Sequence, residues 1–115
     1  MDVRVTPKKN YEFRRLYNKG KTAVTPYLVV YCLKNRTGQR RVGYTVSTKL
    51  GKAVTRNRIR RQLREIYRLN ADRLVGGVDM ILVARTKCMG GDYHRMEKAF
   101  LKCCSQLGLM KEEAK

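Results

Sequence analysis

The stretch RVGYTVSTKLGKAVTRNRIRRQLREIYR, residues 41–68, decides how this chain is read. Its first part, Arg41 to Thr48, alternates. Val42, Tyr44 and Val46 fall on one side, and Gly43, Thr45 and Ser47 on the other, the period of a strand with one buried face. Lys49 to Thr55 is a loop carrying Gly51, and Thr55 is placed to cap a helix from Arg56 to about Leu69, with an extension to Leu74 open. On a wheel of about 100° per residue, Ile59, Leu63, Ile66 and Tyr67 share one side. Asn57, Arg60, Arg61, Arg64 and Arg68 take the opposite side, with Arg58 at its margin, and Glu65 sits beside Arg61 and Arg58 as a pairing partner. A strand therefore feeds an amphipathic helix whose outer face is almost wholly guanidinium.

Upstream, Tyr27 to Leu33 (YLVVYCL) is β-branched and aromatic and reads as a strand, with Lys34 to Arg40 as a turn and Arg41 to Thr48 as its antiparallel partner. Lys21 to Val24 reads as a short edge strand. Before it, Asn10 can cap a helix from about Tyr11 to Lys19 that stops at Gly20 and carries Phe13, Leu16 and Tyr17 on one face. Downstream, Gly76-Gly77 breaks the chain, Val78 to Ala84 (VDMILVA) is a further strand, and Asp92 caps a last helix to Leu107, stopped by Gly108. The strand–helix–strand run from Arg41 to Ala84 makes two strands parallel, and the general preference for such crossovers is right-handed. The expected architecture is a single domain over residues 1–115: a small α/β sandwich with one mixed sheet of three or four strands. Its ends, about 1–8 and 110–115, are expected to be flexible.

The chain has 115 residues, with 27 Lys and Arg against 9 Asp and Glu, a formal net charge of +18. Between Glu12 and Glu65 there is no acidic residue, while fifteen Lys and Arg run from Arg14 to Arg64. Self-repulsion at that density opposes compaction, and a polyanionic partner is the economical explanation. No apolar run approaches the ~20 residues of a membrane-spanning helix. Met1-Asp2-Val3-Arg4-Val5 shows no apolar core of a secretory signal, so none is expected. Cys32, Cys88, Cys103 and Cys104 form no CxxC pair, and His94 is the single histidine. Free thiols in a reducing compartment are therefore expected, and a zinc site is not.

The basic helix admits a bland reading, a solvated face of long side chains, and a sharper one, a phosphate-binding face. A solvated face normally mixes signs at i, i+4, whereas here the repulsion is nearly uncompensated. Arg56 and Arg58, read as first-turn residues, oppose the helix dipole. Arginine prevails over lysine, and its planar fork matches phosphate bidentately. These features favour nucleic acid over a membrane surface. A second candidate surface lies on the sheet. If Val29 and Tyr31 share a face with Thr45 and Ser47, the floor is aromatic and small-polar, the rim is basic through Arg41 and Lys49, and Phe13 and Tyr17 form a wall. Such a groove suits single-stranded RNA, while ordinary packing is the alternative.

Catalytic machinery is poorly supported. The acids Asp2, Glu12, Glu65, Asp72, Asp79, Asp92, Glu97, Glu112 and Glu113 form no DxD-type cluster, and Gly51-Lys52 lacks the upstream glycine of a phosphate-binding loop. The pattern admits a cofactor protein of an RNA enzyme, a structural RNA-binding protein such as a ribosomal protein, and a nuclease acting alone. The missing acidic cluster counts against the last.

Arg56-Asn57-Arg58, followed by Ile59-Arg60-Arg61, Arg64-Glu65 and Tyr67-Arg68, closely resembles the RNR signature of the bacterial ribonuclease P protein family. So do the run Arg41 to Val54, the helix ending Tyr17-Asn18-Lys19-Gly20 and the strand Val78 to Arg85. The likeness spans roughly residues 7 to 107. It implies an α+β fold, a two-layer α/β sandwich in the order α-β-β-β-α-β-α. This is the ribosomal protein S5 domain 2-like arrangement, whose crossover through the RNR helix is left-handed against the general preference. It implies the protein subunit of an endoribonuclease whose catalytic site and Mg²⁺ ions belong to an RNA, with no tight metal site on the protein. Arg56, Asn57, Arg58, Arg60, Arg61, Arg64 and Arg68 are then expected to contact the catalytic RNA. Phe13, Tyr17, Val29, Tyr31, Thr45, Ser47 and Lys49 are expected to line a cleft for the 5′ leader of precursor tRNA. Implied partners are ribonuclease P RNA, in a 1:1 complex, and precursor tRNA, in the cytoplasm, with no membrane. Thr48 stands where the family often has Lys, and Tyr17 where Phe is common.

Overall fold

The computed structural model describes residues 10–111, with side chains from residue 14 onward. The order is α1 (Asn10–Lys19), β1 (Lys21–Val24), β2 (Leu28–Lys34), β3 (Arg41–Thr45), α2 (Ala53–Asn70), β4 (Val78–Ala84) and α3 (Tyr93–Gln106), with short 3₁₀ turns over Thr48–Leu50, Ala71–Arg73 and Thr86–Gly90. This is the expected α-β-β-β-α-β-α sequence, an α+β sandwich.

The four strands lie in the order β1-β2-β4-β3. β1 and β4 both pair antiparallel to β2, and β3 runs parallel to β4. The sequence reading placed Arg41–Thr48 directly beside β2, and the structure corrects this by inserting β4 between them. The reason is burial. β4 is apolar on both faces and nearly all its residues are buried, which demands neighbours on both edges. β3 alternates with small and polar residues and is shorter, which suits an edge.

One sheet face carries Leu28, Val30, Cys32, Val42, Met80, Leu82 and Ala84, all in the main core. α3 packs over β1 and β2, α2 over β3, and the two helices touch each other. The helical spacing of the apolar residues accounts for this. Ile59, Leu63 and Ile66 of α2 and Met96, Phe100 and Cys103 of α3 are fully buried. Each large aliphatic or aromatic side chain so buried contributes about 1.5–3 kcal/mol. Asp92 caps α3 as expected, its carboxylate accepting from the Arg95 amide at 3.1 Å, and Gly108, at φ 71°, ends it.

α1 crosses the opposite face, against β2 and β4. Leu16 is buried outside the main core, as is Ile81, whose side of β4 faces α1 rather than α2 and α3. Gly20 lets the chain turn from α1 into β1. A Cβ there would stand 2.4 Å from the Leu16 carbonyl oxygen and 2.7 Å from that of Cys32.

Three local expectations are corrected. α2 begins at Ala53, so Thr55 lies inside the helix and Lys52 occupies the cap position without a side-chain bond. β3 ends at Thr45, because Ser47 turns to cap the following 3₁₀ turn through the Lys49 amide at 3.2 Å. The chain from 110 is not all free: Met110 bridges to Leu74, and the Lys111 amide donates to the Arg73 carbonyl at 2.9 Å. The other expected flexible residues, 1–8 and 112–115, lie outside the described residues.

Candidate nucleic-acid interface

α2 presents the arginines where the wheel placed them, but their surroundings divide them into two groups. Arg56 donates from Nε to the Gly51 carbonyl at 3.2 Å, and Arg58 donates from Nη2 to the Met89 carbonyl at 3.0 Å. Both therefore tie α2 to flanking loops as well as presenting charge. Because the helix starts three residues earlier than expected, Arg56 is its fourth residue and Arg58 lies in the second turn. The argument from dipole repulsion is correspondingly weaker, although the first turn still carries no acid.

Further along, Arg60 donates to the Asn57 side chain at 3.0 Å. Glu65 holds Arg68 in a bidentate pair at 2.9 and 2.6 Å, rather than the Arg58 or Arg61 pairing expected from sequence. That bond pushes the already high Arg68 pKa up, so its charge is permanent. Arg61 and Arg64 have no protein partner among the described residues, so their guanidinium groups are available to phosphate.

The other sheet face forms the second part of the site. Strand register aligns three rows across β2, β4 and β3: Val29–Val83–Thr45, Tyr31–Ile81–Gly43 and Leu33–Asp79–Arg41. Val29 and Tyr31 do share a face with Thr45, as the groove reading required, with β4 supplying the floor between them. The Tyr17 ring of α1 meets Tyr31 edge-on, centroids 4.7 Å apart and planes at 84°. Tyr17 remains 40% exposed, which leaves an aromatic wall open to a ligand. Ser47 and Lys49 leave the sheet for the exposed turn that joins β3 to α2 along the chain, so they are not part of the sheet floor. The Phe13 side chain falls outside the described residues.

At one end the groove opens into a cavity of about 640 Å³ bordered by Arg15, Lys34, Arg36 and Arg41. Asp79 lies in this cavity but does not repel an anion. Arg41 grips its carboxylate at 2.8 and 2.7 Å, and Asn35 Nδ2 donates to it at 2.8 Å. Sequence reasoning missed Ile81, Val83 and the Asp79–Arg41–Asn35 network. The signal for the first two was the unbroken apolar run of β4, which marks a central strand. The network joins residues 38 and 44 positions apart and left no local pattern.

Four of the acids among the described residues are engaged by other side chains. Asp79 is engaged by Arg41, Glu65 by Arg68, Asp92 by Arg95, and Glu97 accepts from Asn70 at 2.9 Å. Among the described residues no group of three or more His, Cys, Asp or Glu side chains is placed to hold a metal ion. No helix among them is long and apolar enough to cross a membrane. The four cysteines are buried, and burial pushes the Cys103 thiol up to about 11 and Cys104 to about 12.

A protein-family model described as Ribonuclease P matches residues 3–108, nearly the whole chain. The chain belongs to the ribonuclease P protein family. It is 42% identical over 108 residues to the ribonuclease P protein component of Natranaerobius thermophilus, covering 94% of each chain. The component from Clostridioides difficile is 43% identical over 93 residues, covering 80% of this chain and 82% of its own. Among solved structures, the Staphylococcus aureus RNase P protein superimposes with a TM-score of 0.84 at 28% identity, over 95% of this chain and all of that one. The Thermotoga maritima RNase P protein superimposes with a TM-score of 0.75, also at 28% identity, over 87% of this chain and 93% of that one. Family and fold thus agree with the likeness carried by the RNR helix.

Proposed function

We propose that this protein is the RNA-binding subunit of a ribonuclease P in which the RNA performs phosphodiester hydrolysis and the protein positions it on precursor tRNA. Arg61 and Arg64, with the outward edges of Arg56, Asn57, Arg58, Arg60 and Arg68, neutralise phosphates of the catalytic RNA. The groove of Tyr17, Tyr31, Val29 and Thr45, with Ser47 and Lys49 at its exit, takes the single-stranded 5′ leader. Bases stack on its rings while Arg15, Lys34 and Arg36 follow the backbone. The Mg²⁺ that hydrolysis requires is held by the RNA, a reading supported by the engagement of Asp79, Glu65, Asp92 and Glu97 with side chains of this chain. Binding is 1:1 with the RNA subunit, and the compartment is the cytoplasm.

The observation that carries this reading is the Tyr17–Tyr31 pair on the Tyr31–Ile81–Gly43 row, next to the Val29–Val83–Thr45 row on the same sheet face. A sheet face with one exposed and one half-buried ring, small polar groups and cationic borders suits a flexible RNA strand. A face meant only for packing would be covered, as the opposite face is.

The test is cleavage of precursor tRNA by a bacterial ribonuclease P RNA at low Mg²⁺, with and without the protein. Wild-type protein should restore correct 5′ cleavage, and the Arg61→Ala, Arg64→Ala double variant should do so poorly. A folded wild-type protein that gives no stimulation would overturn the reading.

A further inference from the structure

A third basic surface exists that neither the α2 arginines nor the groove uses. At the β1 edge of the sheet, the turn joining β1 to β2 and the outer side of α3 enclose a pocket of about 280 Å³. Val24, Pro26 and Tyr27 form its apolar side, and Arg95, Lys98 and Lys102 form the other. Those cations recur at i, i+3 and i+7 on α3, so they share one exposed stripe. Lys87 adds a fourth, its Nζ 5.6 Å from the Tyr27 ring centroid.

Little compensates this charge. Asp92 pairs with Arg95 at 3.3 Å, but Glu97, the acid in the middle of the same helix, is turned to Asn70. The apolar side is also held rigidly. The Thr25 hydroxyl donates to the Leu28 carbonyl at 3.0 Å and accepts from the Leu28 and Tyr27 amides at 3.0 and 3.3 Å. Arg85 clamps the Thr25 carbonyl at 3.0 Å. Pro26 nevertheless stays exposed, and Val24, 58% exposed, stands at the pocket's border in register with Val29, where the two sheet faces meet at the β1 edge. A preformed apolar shelf facing a row of cations, of which only Arg95 is paired among the described residues, matches one chemistry well: a nucleobase laid on the shelf, with its flanking phosphates on the cations.

We propose that this pocket is a second RNA contact, which takes a single-stranded segment of the catalytic RNA against Pro26 and Tyr27 with its phosphates on Lys98, Lys102 and Arg95. The identity of that RNA rests on the function proposed above. The catalytic RNA is favoured over the leader by layering. α2 and α3 pack side by side on one sheet face, and the leader groove lies on the other. An RNA seated on the α2 arginines extends over the layer that carries α3, whereas a leader in the groove runs along the far side.

The test uses the full-length protein bound to a bacterial ribonuclease P RNA. All four native cysteines are buried, so a Ser105→Cys variant places one accessible thiol on the same side of α3, one turn beyond Lys102. A tethered Fe–EDTA at that thiol should cleave the catalytic RNA at discrete positions that persist when precursor tRNA is added. The Lys98→Gln, Lys102→Gln variant should bind this RNA about tenfold more weakly at moderate salt. Its log K against log salt slope should be shallower by about 1.4, at ~0.7 per single-strand phosphate. Lys98→Arg, Lys102→Arg should restore binding. Unchanged affinity and slope in the Gln variant, or tethered cleavage confined to the leader or absent, would overturn the inference alone. Failure of the wild-type protein to bind the RNA would overturn the proposed function and the inference together.

Discussion

The two faces of the sheet are built from the same strands and are treated differently by the rest of the chain. The face of Val30, Leu82 and Val42 is roofed by two long helices and contains no exposed ring. The face of Tyr31, Ile81 and Gly43 is crossed by one short helix that buries Leu16 and Ile81 but leaves Tyr17 partly exposed. Closure on one side supplies stability, and incomplete closure on the other leaves a platform that a strand of RNA can share. The same division runs along α2. Its inner residues are fully buried, while its arginines range from Arg58, which is tied to a loop, to Arg61 and Arg64, which have no protein partner among the described residues.

This contrast can be broken most severely on the closed face. Leu82→Ala should lower stability by about 2–5 kcal/mol, since a fully buried side chain leaves a cavity that the packed helices cannot fill. Urea unfolding with an unchanged m-value would check it. On α2, Arg58→Ala should cost about 1 kcal/mol of stability through the lost bond to the Met89 carbonyl, read from the same unfolding curves. Arg61→Ala, Arg64→Ala should leave stability within about 0.5 kcal/mol of wild type. Its effect should appear in RNA binding instead, as a salt slope shallower by about 1.4–1.8. A large loss of stability there would erase the distinction between the two groups of arginines.

The smallest effect concerns pH. Burial raises the thiol pKa of Cys103 from 9 to about 11 and of Cys104 from 9 to about 12 in the folded protein. A raised folded-state value means that the neutral thiol is favoured on folding. The stability contribution is therefore complete below pH 9 and declines as pH rises from there through about 11 and 12. Thermal melts between pH 8 and 10.5 should show this decline, and a Cys104→Ala variant should show a shallower one. A steeper decline in the variant would contradict the assignment.

Most of the fold was legible because its periods are clean. The 3.6-residue pattern of Ile59, Leu63 and Ile66, the cap at Asp92 and the stop at Gly108 are local signals, and each appears where the sequence placed it. The position of β4 between β2 and β3 was not legible, because strand order depends on which edges need covering, a property of the whole sheet. The start of α2 was misplaced for a related reason. Thr55 resembles a cap, yet the 3₁₀ turn at Thr48–Leu50 delivers the chain into helical geometry by Ala53. Of the groove, Val29, Tyr31 and Thr45 were legible as strand faces, and Tyr17 as a helix neighbour. Ile81 and Val83 needed the strand order, and the Asp79–Arg41 pair needed the parallel register of β3 on β4.

The central claim is that the open face reads the leader while α2 holds the catalytic RNA. The most direct measurement compares the affinity of the reconstituted holoenzyme for precursor tRNA and for the same tRNA without its leader, using wild-type protein and Tyr31→Ala. The account predicts that wild type prefers the precursor and that the variant loses about tenfold or more of that preference, the worth of one stacked base. Binding of the variant to the RNA subunit should be unchanged. An undiminished preference in a folded Tyr31→Ala holoenzyme would contradict it.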